Sequence, residues 1–318
     1  MKMNSMNFLR EMVEKNGPLC VGLDTTPEYL PESVVASFDS PAMAVLAYNK
    51  AIIERIVSGE SSGLAACCKV QIAYYEAMGL EGMDVYSQTL QLVRKAGLPV
   101  IADIKRGDIA DTAKAYAKAH FSGDFEADII TVNPYMGFDT LKPFAEYAMP
   151  EKGGKGFFVL LRTSNPGMVD IEKLQLASTV AKFSEECVLD RVGHELNRLA
   201  QVFKEFYPEA LCSPIGAVVG CTEESDAKVL REAYPEVFFL IPGYGAQGGA
   251  ARIAATLLSK AGGTVNSSRG ILTAWKKDEK LVAKVKARTI TLDDIADAAG
   301  QAAFVAKNDL LEAKKSLN

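Results

Sequence analysis

The chain has 318 residues, 48% of them hydrophobic, enough to bury a full core. Its net charge of -5 and pI near 5.3 argue against nucleic acid or a membrane surface as partner. No apolar stretch approaches the roughly 20 residues needed to cross a bilayer, and the first residues lack a signal-peptide core, so a cytoplasmic protein is expected.

Eight short apolar runs read as strands in chain order: Leu19–Asp24, Ala65–Gln71, Pro99–Lys105, Asp128–Asn133, Gly156–Arg162, Ile215–Gly220, Phe238–Gly243 and Gly262–Ser268. Helical spacing fills the gaps at Ala44–Val57, Met83–Ala96, Asp111–Ala119 and Ser225–Tyr234. Strands alternating with helices predict a parallel sheet, and eight such units fit a closed (β/α)8 TIM barrel. The first strand ends Gly22-Leu-Asp-Thr-Thr-Pro27, without the glycine fingerprint of an open dinucleotide-binding sheet. A single barrel domain is therefore expected over 1–318. The connection around 167–214 reads as a helical elaboration, with Ile171–Phe206 helical throughout, and 292–317 as a C-terminal helix outside the barrel.

The six cysteines (20, 67, 68, 187, 212 and 221) form neither a disulfide framework nor a metal motif, and read as small core residues. Cys67 and Cys68 are adjacent on a strand and face opposite ways. His120 and His194 are the only histidines and lie far apart, which leaves little material for zinc or Ser-His-Asp chemistry. No metal and no cofactor are expected.

In a barrel, all the strand C-termini open on one mouth. Here they deliver Asp24 from the first strand, Lys69 and Gln71 from the second, and Asp103, Lys105 and then Asp108 from the third. Asp103 and Lys105 are two apart on a strand and should share a face. Three aspartates and two lysines converging on one cavity are a costly way to stabilise a fold and a useful way to hold charge for chemistry. The fifth strand adds Thr163 and Ser164. The seventh supplies Pro242 and Gly243 ahead of Gln247, and the eighth Ser268, Arg269 and Gly270. The last two loops are the usual phosphate site of such barrels, with glycines that admit an anion to the backbone and an arginine fork.

The residues Asp103-x-Lys105-x-x-Asp108-Ile109-x-x-Thr112, with Lys69, Pro242-Gly-x-Gly-Ala-Gln-Gly and Ser268-Arg269-Gly270, resemble the orotidine 5′-phosphate decarboxylase family from about Cys20 to Leu272. Asn133-Pro-Tyr-Met-Gly137 and Arg162-Thr-Ser-Asn-Pro-Gly167 resemble its longer-chain subgroup, and the long fifth crossover is the departure from its compact members. The resemblance implies decarboxylation of orotidine 5′-monophosphate to uridine 5′-monophosphate (UMP), without a cofactor. It gives Lys105 the roles of stabilising charge at C6 and donating the proton, and sets Asp103 near the substrate carboxylate. It assigns Asp24 and Lys69 to the ribose, Ser164 to the pyrimidine edge, and Gln247 and Arg269 to the phosphate. It also implies a homodimer in which Asp108, with Ile109 and Thr112, serves the neighbouring site. Two alternatives stand beside it: a Mg²⁺-dependent sugar-phosphate decarboxylase of the same superfamily, and a non-catalytic nucleotide-binding barrel. The first would need a further acidic ligand where Lys69 stands.

Overall fold

The computed structural model describes residues 3–58, 63–177, 187–220, 224–244 and 250–317. Eight parallel strands close into a barrel in sequence order: β1 (Leu19–Gly22), β2 (Cys67–Gln71), β3 (Val100–Arg106), β4 (Ile129–Val132), β5 (Gly156–Arg162), β6 (Ile215–Val219), β7 (Phe239–Ile241) and β8 (Gly263–Ser267). Closure is made by β1 against β8, with Leu19 opposite Val265 and Val21 opposite Ser267. Each strand falls inside its predicted run or within one residue of it.

Strand alternation divides the barrel into two cores. Val21, Cys68, Val70, Val100 and Ala102 face outward and pack under the ring of helices. Cys20, Cys67, Ile101, Ile129 and Phe158 point inward and fill the lower half of the barrel. Cys67 and Cys68 do face opposite ways. Helix Ser5–Asn16 plugs this lower half by burying Met6 and Leu9 completely among the inward residues. Asn4 caps that helix, accepting from Asn7 N at 2.8 Å, and its amide reaches Cys212 O at 3.3 Å. The plug has a faint sequence signature, two apolar residues three apart with Met12 and Val13 beyond, that yields no strong period in so short a segment.

The helices Pro41–Val57 and Gly79–Lys95 pack on the outward faces of the first strands, and the C-terminal helix Leu292–Lys315 lies against Pro41–Val57. The fifth crossover differs from its expectation. Among the described residues of the segment read as helix from Ile171 to Phe206, Val188–Lys204 is helical and 171–177 are not, while Pro166–Asp170 ahead of them forms a 3-10 turn. The helix starts at Val188 because Cys187 and Asp190 form a reciprocal cap, and because Gln175 and Cys187 pair as an antiparallel bridge. The cap is local but uses a cysteine in place of the usual serine or threonine, and the bridge is a longer-range contact that helical spacing cannot report. Among the described residues, no helix is long and apolar enough to cross a membrane.

Candidate active site

The inward positions one step above the lower core are where polarity begins. Lys69 stands two residues beyond Cys67, Asp103 two beyond Ile101, Thr131 two beyond Ile129 and Leu160 two beyond Phe158, so each strand places a mouth residue directly over a core residue. Lys69, Asp103, Lys105 and Thr131 line one side of a cavity of about 330 Å³, and Leu160, Val218, Leu240 and Pro242 line another. Thr163, Ser164, Asn165 and Asn266 complete its wall. One polar, charged side and one apolar side suit a flat, polar heterocycle.

Asp103 is the centre of the charged side. Its Oδ1 receives Lys105 Nζ at 2.7 Å and the Thr131 hydroxyl at 2.8 Å, and its Oδ2 receives Lys69 Nζ at 3.1 Å and Gln71 Nε2 at 3.0 Å. Lys69 also donates to Asp24 Oδ1 at 2.8 Å. The other oxygen of Asp24 receives Ser268 Oγ at 2.7 Å, and Asn266 Nδ2 donates to that same hydroxyl at 3.1 Å. Burial alone would push the Asp103 carboxyl up; Lys69 and Lys105 outweigh it and, with the Lys105 and Thr131 hydrogen bonds, hold it at about 2. Burial would likewise lower Lys69, but Asp24 and Asp103 together raise it above an ordinary lysine. Both groups are therefore ionised at neutral pH, a buried Asp–Lys–Asp chain leading to a lysine that is half exposed to the cavity.

The backbone that presents Lys105 is irregular. The β3–β4 register shifts between Ala102 and Arg106, and Lys105 takes φ of 45°, a left-handed conformation uncommon for a side-chain-bearing residue. Simple alternation is therefore broken where it was expected to bring Asp103 and Lys105 onto one face, although their side chains do meet. Thr131 compensates for the break. Its hydroxyl accepts Ile104 N at 3.0 Å and Lys105 N at 2.9 Å while donating to Asp103, so its one donor and two acceptor positions are all used. Strain held by a saturated hydrogen-bond group at a site of charge fits a functional bulge.

Close approach also fixes two glycines. A Cβ on Gly22 would lie 1.9 Å from Ser268 Oγ, so only glycine lets Ser268 reach Asp24 across the β1–β8 seam. A Cβ on Gly220 would lie 2.7 Å from Ser164 Cβ, so glycine at the end of β6 lets the β5 loop seat against it.

The remaining expected site residues are spread from the cavity to its outer loops. Pro242 and Ser164 line the cavity, and Ser268 bonds to Asp24. Gly243, at φ of 93°, turns the chain directly after Pro242. Arg269 is exposed at the start of the short helix Arg269–Leu272, beside Tyr29 and Tyr74, with Gly270 next to it. Gln71 reaches the array rather than the cavity wall, and its Oε1 accepts Ala73 N at 3.3 Å. Asn133 turns its amide oxygen onto Tyr135 N at 3.0 Å, capping its own loop. Asp108 accepts Ile109 N at 2.8 Å and stands outside the array, with Ile109 and Thr112 exposed beside it. Gln247 lies outside the described residues, as do Gly245, Gly248, Gly249 and Cys221. Sequence reasoning missed Thr131, an ordinary strand threonine by composition, and the apolar wall of Leu160, Val218 and Leu240.

Residues 17–284 match the model of the orotidine 5′-phosphate decarboxylase / HUMPS family. The chain belongs to that family. Its relatives include the orotidine 5′-phosphate decarboxylase of Clostridium botulinum (strain Langeland), 51% identical over 85% of this chain and 89% of that protein. The enzyme of the same name from Clostridium perfringens (strain 13) is 50% identical over the same shares. Among solved structures, the Leishmania donovani OMP decarboxylase superposes with a TM-score of 0.64 at 28% identity, covering 94% of this chain and 99% of that one. The family match spans all eight strands and every residue of the Asp24–Lys69–Asp103–Lys105 array.

Proposed function

We propose that this chain decarboxylates orotidine 5′-monophosphate to UMP and CO2, in pyrimidine biosynthesis, with Lys105 as the proton donor. The observation that carries the reading is the Asp103 carboxylate held ionised between Lys69 and Lys105, at 3.1 and 2.7 Å, on one side of a cavity whose other side is apolar. The pyrimidine ring lies in that cavity with its C6 carboxylate toward Asp103 and Lys105. When the C6–C bond breaks, the electron pair stays on C6 in the ring plane, where conjugation does not disperse it well. The Lys105 ammonium stabilises that charge from a fixed position and then gives its proton to C6. Asp103 keeps the ammonium aimed. Because Lys69 and Thr131 hold Asp103 in turn, little reorganisation is needed as the charge moves. Asp24 and Lys69 face the ribose, Ser164 the base and Arg269 the phosphate, to which the resemblance also assigns Gln247.

The sugar-phosphate alternative needs a further acidic ligand where Lys69 stands, beside Asp24 and Asp103. Here the two aspartates share the Lys69 ammonium, whose charge opposes a divalent cation. Loss of ultraviolet absorbance as orotidine monophosphate is consumed, undiminished by exhaustive EDTA treatment, is the expected result. A chain that leaves the substrate untouched, or needs an added divalent metal to act on it, refutes the proposal.

The active assembly is a homodimer in which Asp108 completes the site of the second copy. Asp108 stands apart from its own array, and Ile109, Tyr135 and Met136 expose apolar surface on the neighbouring β3 and β4 loops. Mixing inactive Lys105→Ala with inactive Asp108→Asn subunits should restore activity, because half of the sites in mixed dimers hold both native residues. Verified exchange without recovery would mean that each subunit builds its own array. The buried free thiols of Cys20, Cys67, Cys68, Cys187 and Cys212 support a reducing, cytoplasmic setting.

A further inference from the structure

Among the described residues of the fifth crossover, Glu172 bonds to Thr163, a residue that lines the cavity. Glu172 lies just past the 3-10 turn Pro166–Asp170, and its Oε1 accepts both the backbone N–H of Thr163 at 3.0 Å and the Thr163 hydroxyl at 2.6 Å. Its own backbone is fixed at both ends, with N–H donating to Met168 O at 2.8 Å and C=O accepting Leu189 N at 3.0 Å from the first turn of helix Val188–Lys204. Glu172 therefore ties the end of β5 to the start of that helix. Its neighbours reinforce the tie. Arg162, buried on β5, donates to Thr163 O and faces Asp226 at 3.6 Å, and Lys173 faces the same carboxylate at 3.6 Å. On the opposite side, Gly220 N donates to Arg162 O at 2.7 Å and leaves just enough space for Ser164.

Thr163, Ser164 and Asn165 all line the cavity. The Thr163 N–H and O–H are both committed to Glu172, so neither is free to donate to a ligand. We propose that Glu172 is a positioning residue for pyrimidine recognition: it clamps Thr163 so that Ser164 and Asn165 are held against the base, and Thr163 serves the site through this clamp rather than by hydrogen-bonding substrate. The long crossover thereby acquires a role in the site. A clamp of this kind acts on the base and not on the phosphate, since Arg269 and Gly243 belong to the β8 and β7 ends.

The inference rests on the decarboxylase reading, and one set of measurements separates the two. The unaltered chain is assayed first with orotidine monophosphate; absence of turnover there removes the reading and this inference with it. Given turnover, inhibition constants are measured for UMP and for ribose 5-phosphate on Glu172→Ala, Glu172→Gln, Thr163→Val and the Glu172→Ala/Thr163→Val pair. Glu172→Ala should weaken UMP roughly 10-fold or more, as for loss of hydrogen bonds to a charged acceptor, and change ribose 5-phosphate by less than about 2-fold. Glu172→Gln keeps an acceptor at the same place and should restore most of the UMP affinity. The double variant should be no worse than the poorer single one, because the two residues act as a unit. Equal weakening of both inhibitors by Glu172→Ala, additive losses in the double variant, or unchanged UMP binding overturns the proposal. Should Glu172→Ala fail to fold, Thr163→Val decides alone: it removes one of the two donated bonds while keeping the side-chain shape, and unchanged UMP selectivity over ribose 5-phosphate overturns the clamp.

Discussion

The lower and upper halves of the barrel are built by the same strands and differ by a single step of the pleat. Below, Cys67, Ile101, Ile129 and Phe158 pack with Met6 and Leu9 into a layer with no solvent exposure. Above, Lys69, Asp103 and Thr131 occupy the next inward positions and carry the charge array. The lower layer gains stability from burial and needs no particular chemistry. The upper layer holds ionised groups that cost free energy to bury, and it is tolerable only because every partner is in place. The comparison separates what keeps the barrel closed from what makes it a site. Substitutions above should therefore damage rate before stability, and substitutions below stability before rate.

The largest effect is expected at Lys105. Its side chain is 45% exposed, so Lys105→Ala removes little packing but deletes both the proton donor and the nearest positive charge. The predicted loss in kcat/KM is roughly 10⁴-fold or more, combining general-acid and electrostatic contributions. Thermal denaturation of the same variant should shift by only a few degrees. Near-normal turnover in a folded Lys105→Ala would show that the upper layer has been misread.

Leu9→Ala is the opposite test. It empties part of the plug beneath Phe158 and Ile129, and should cost about 2–5 kcal/mol, the range for large-to-small changes at fully buried positions. Chemical denaturation measures the loss. The kcat of the protein that remains folded should be unchanged, because Leu9 touches only the lower layer. A lowered kcat with unaltered stability would mean that the two halves are coupled through the barrel.

A milder split is expected at the phosphate end. Arg269 is exposed and contributes nothing to the array, so Arg269→Ala should lower kcat/KM for the nucleotide roughly 10- to 100-fold, as for a lost charge-assisted pair. The same variant should leave the rate with the phosphate-free nucleoside nearly unchanged. If both substrates suffer equally, Arg269 is structural and the phosphate is held elsewhere.

The division between halves also explains which features the sequence made legible. Parallel strands buried on both faces are apolar through most of their length, so Val100–Ala102 and Ile129–Val132 announce themselves, and the polar residue ending each run marks the mouth. The array could be assembled from those strand ends alone. Features that depend on tertiary partners could not. Lys105 adopts a positive φ because Thr131 catches two displaced N–H groups, and neither residue type signals it. Glu172 reads as one polar position of a helical run until Thr163 is seen against it. The start of the fifth crossover's helix at Val188 depends on a bridge from Gln175.

The last effect expected is one of pH, and it falls outside both halves. His120 is buried on helix Ala110–Phe121, against Phe125 at 6.4 Å between ring centroids, and its Nδ1 has no partner among the described residues. Burial, with the Arg106 charge adding to it, pushes its imidazole down to about 4 from the usual 6.5. Between those values the unfolded chain binds a proton that the folded chain refuses. Unfolding then takes up a proton, so stability falls as pH drops from 6.5 toward 4. The interval is about 2.5 units, which sets a ceiling of about 3 kcal/mol at 1.36 kcal/mol per unit. Asp103 acts in the same direction but in a lower window. Its carboxyl is held at about 2 against an ordinary 3.8, so the stability it contributes is present above 3.8 and lost as pH falls through 2. The two windows do not overlap. His120→Phe should therefore flatten the loss of denaturation free energy between pH 7 and 4.5 while leaving the steeper loss below pH 4 in place. An unaltered slope between pH 7 and 4.5 in that variant would assign the acid sensitivity to some other group.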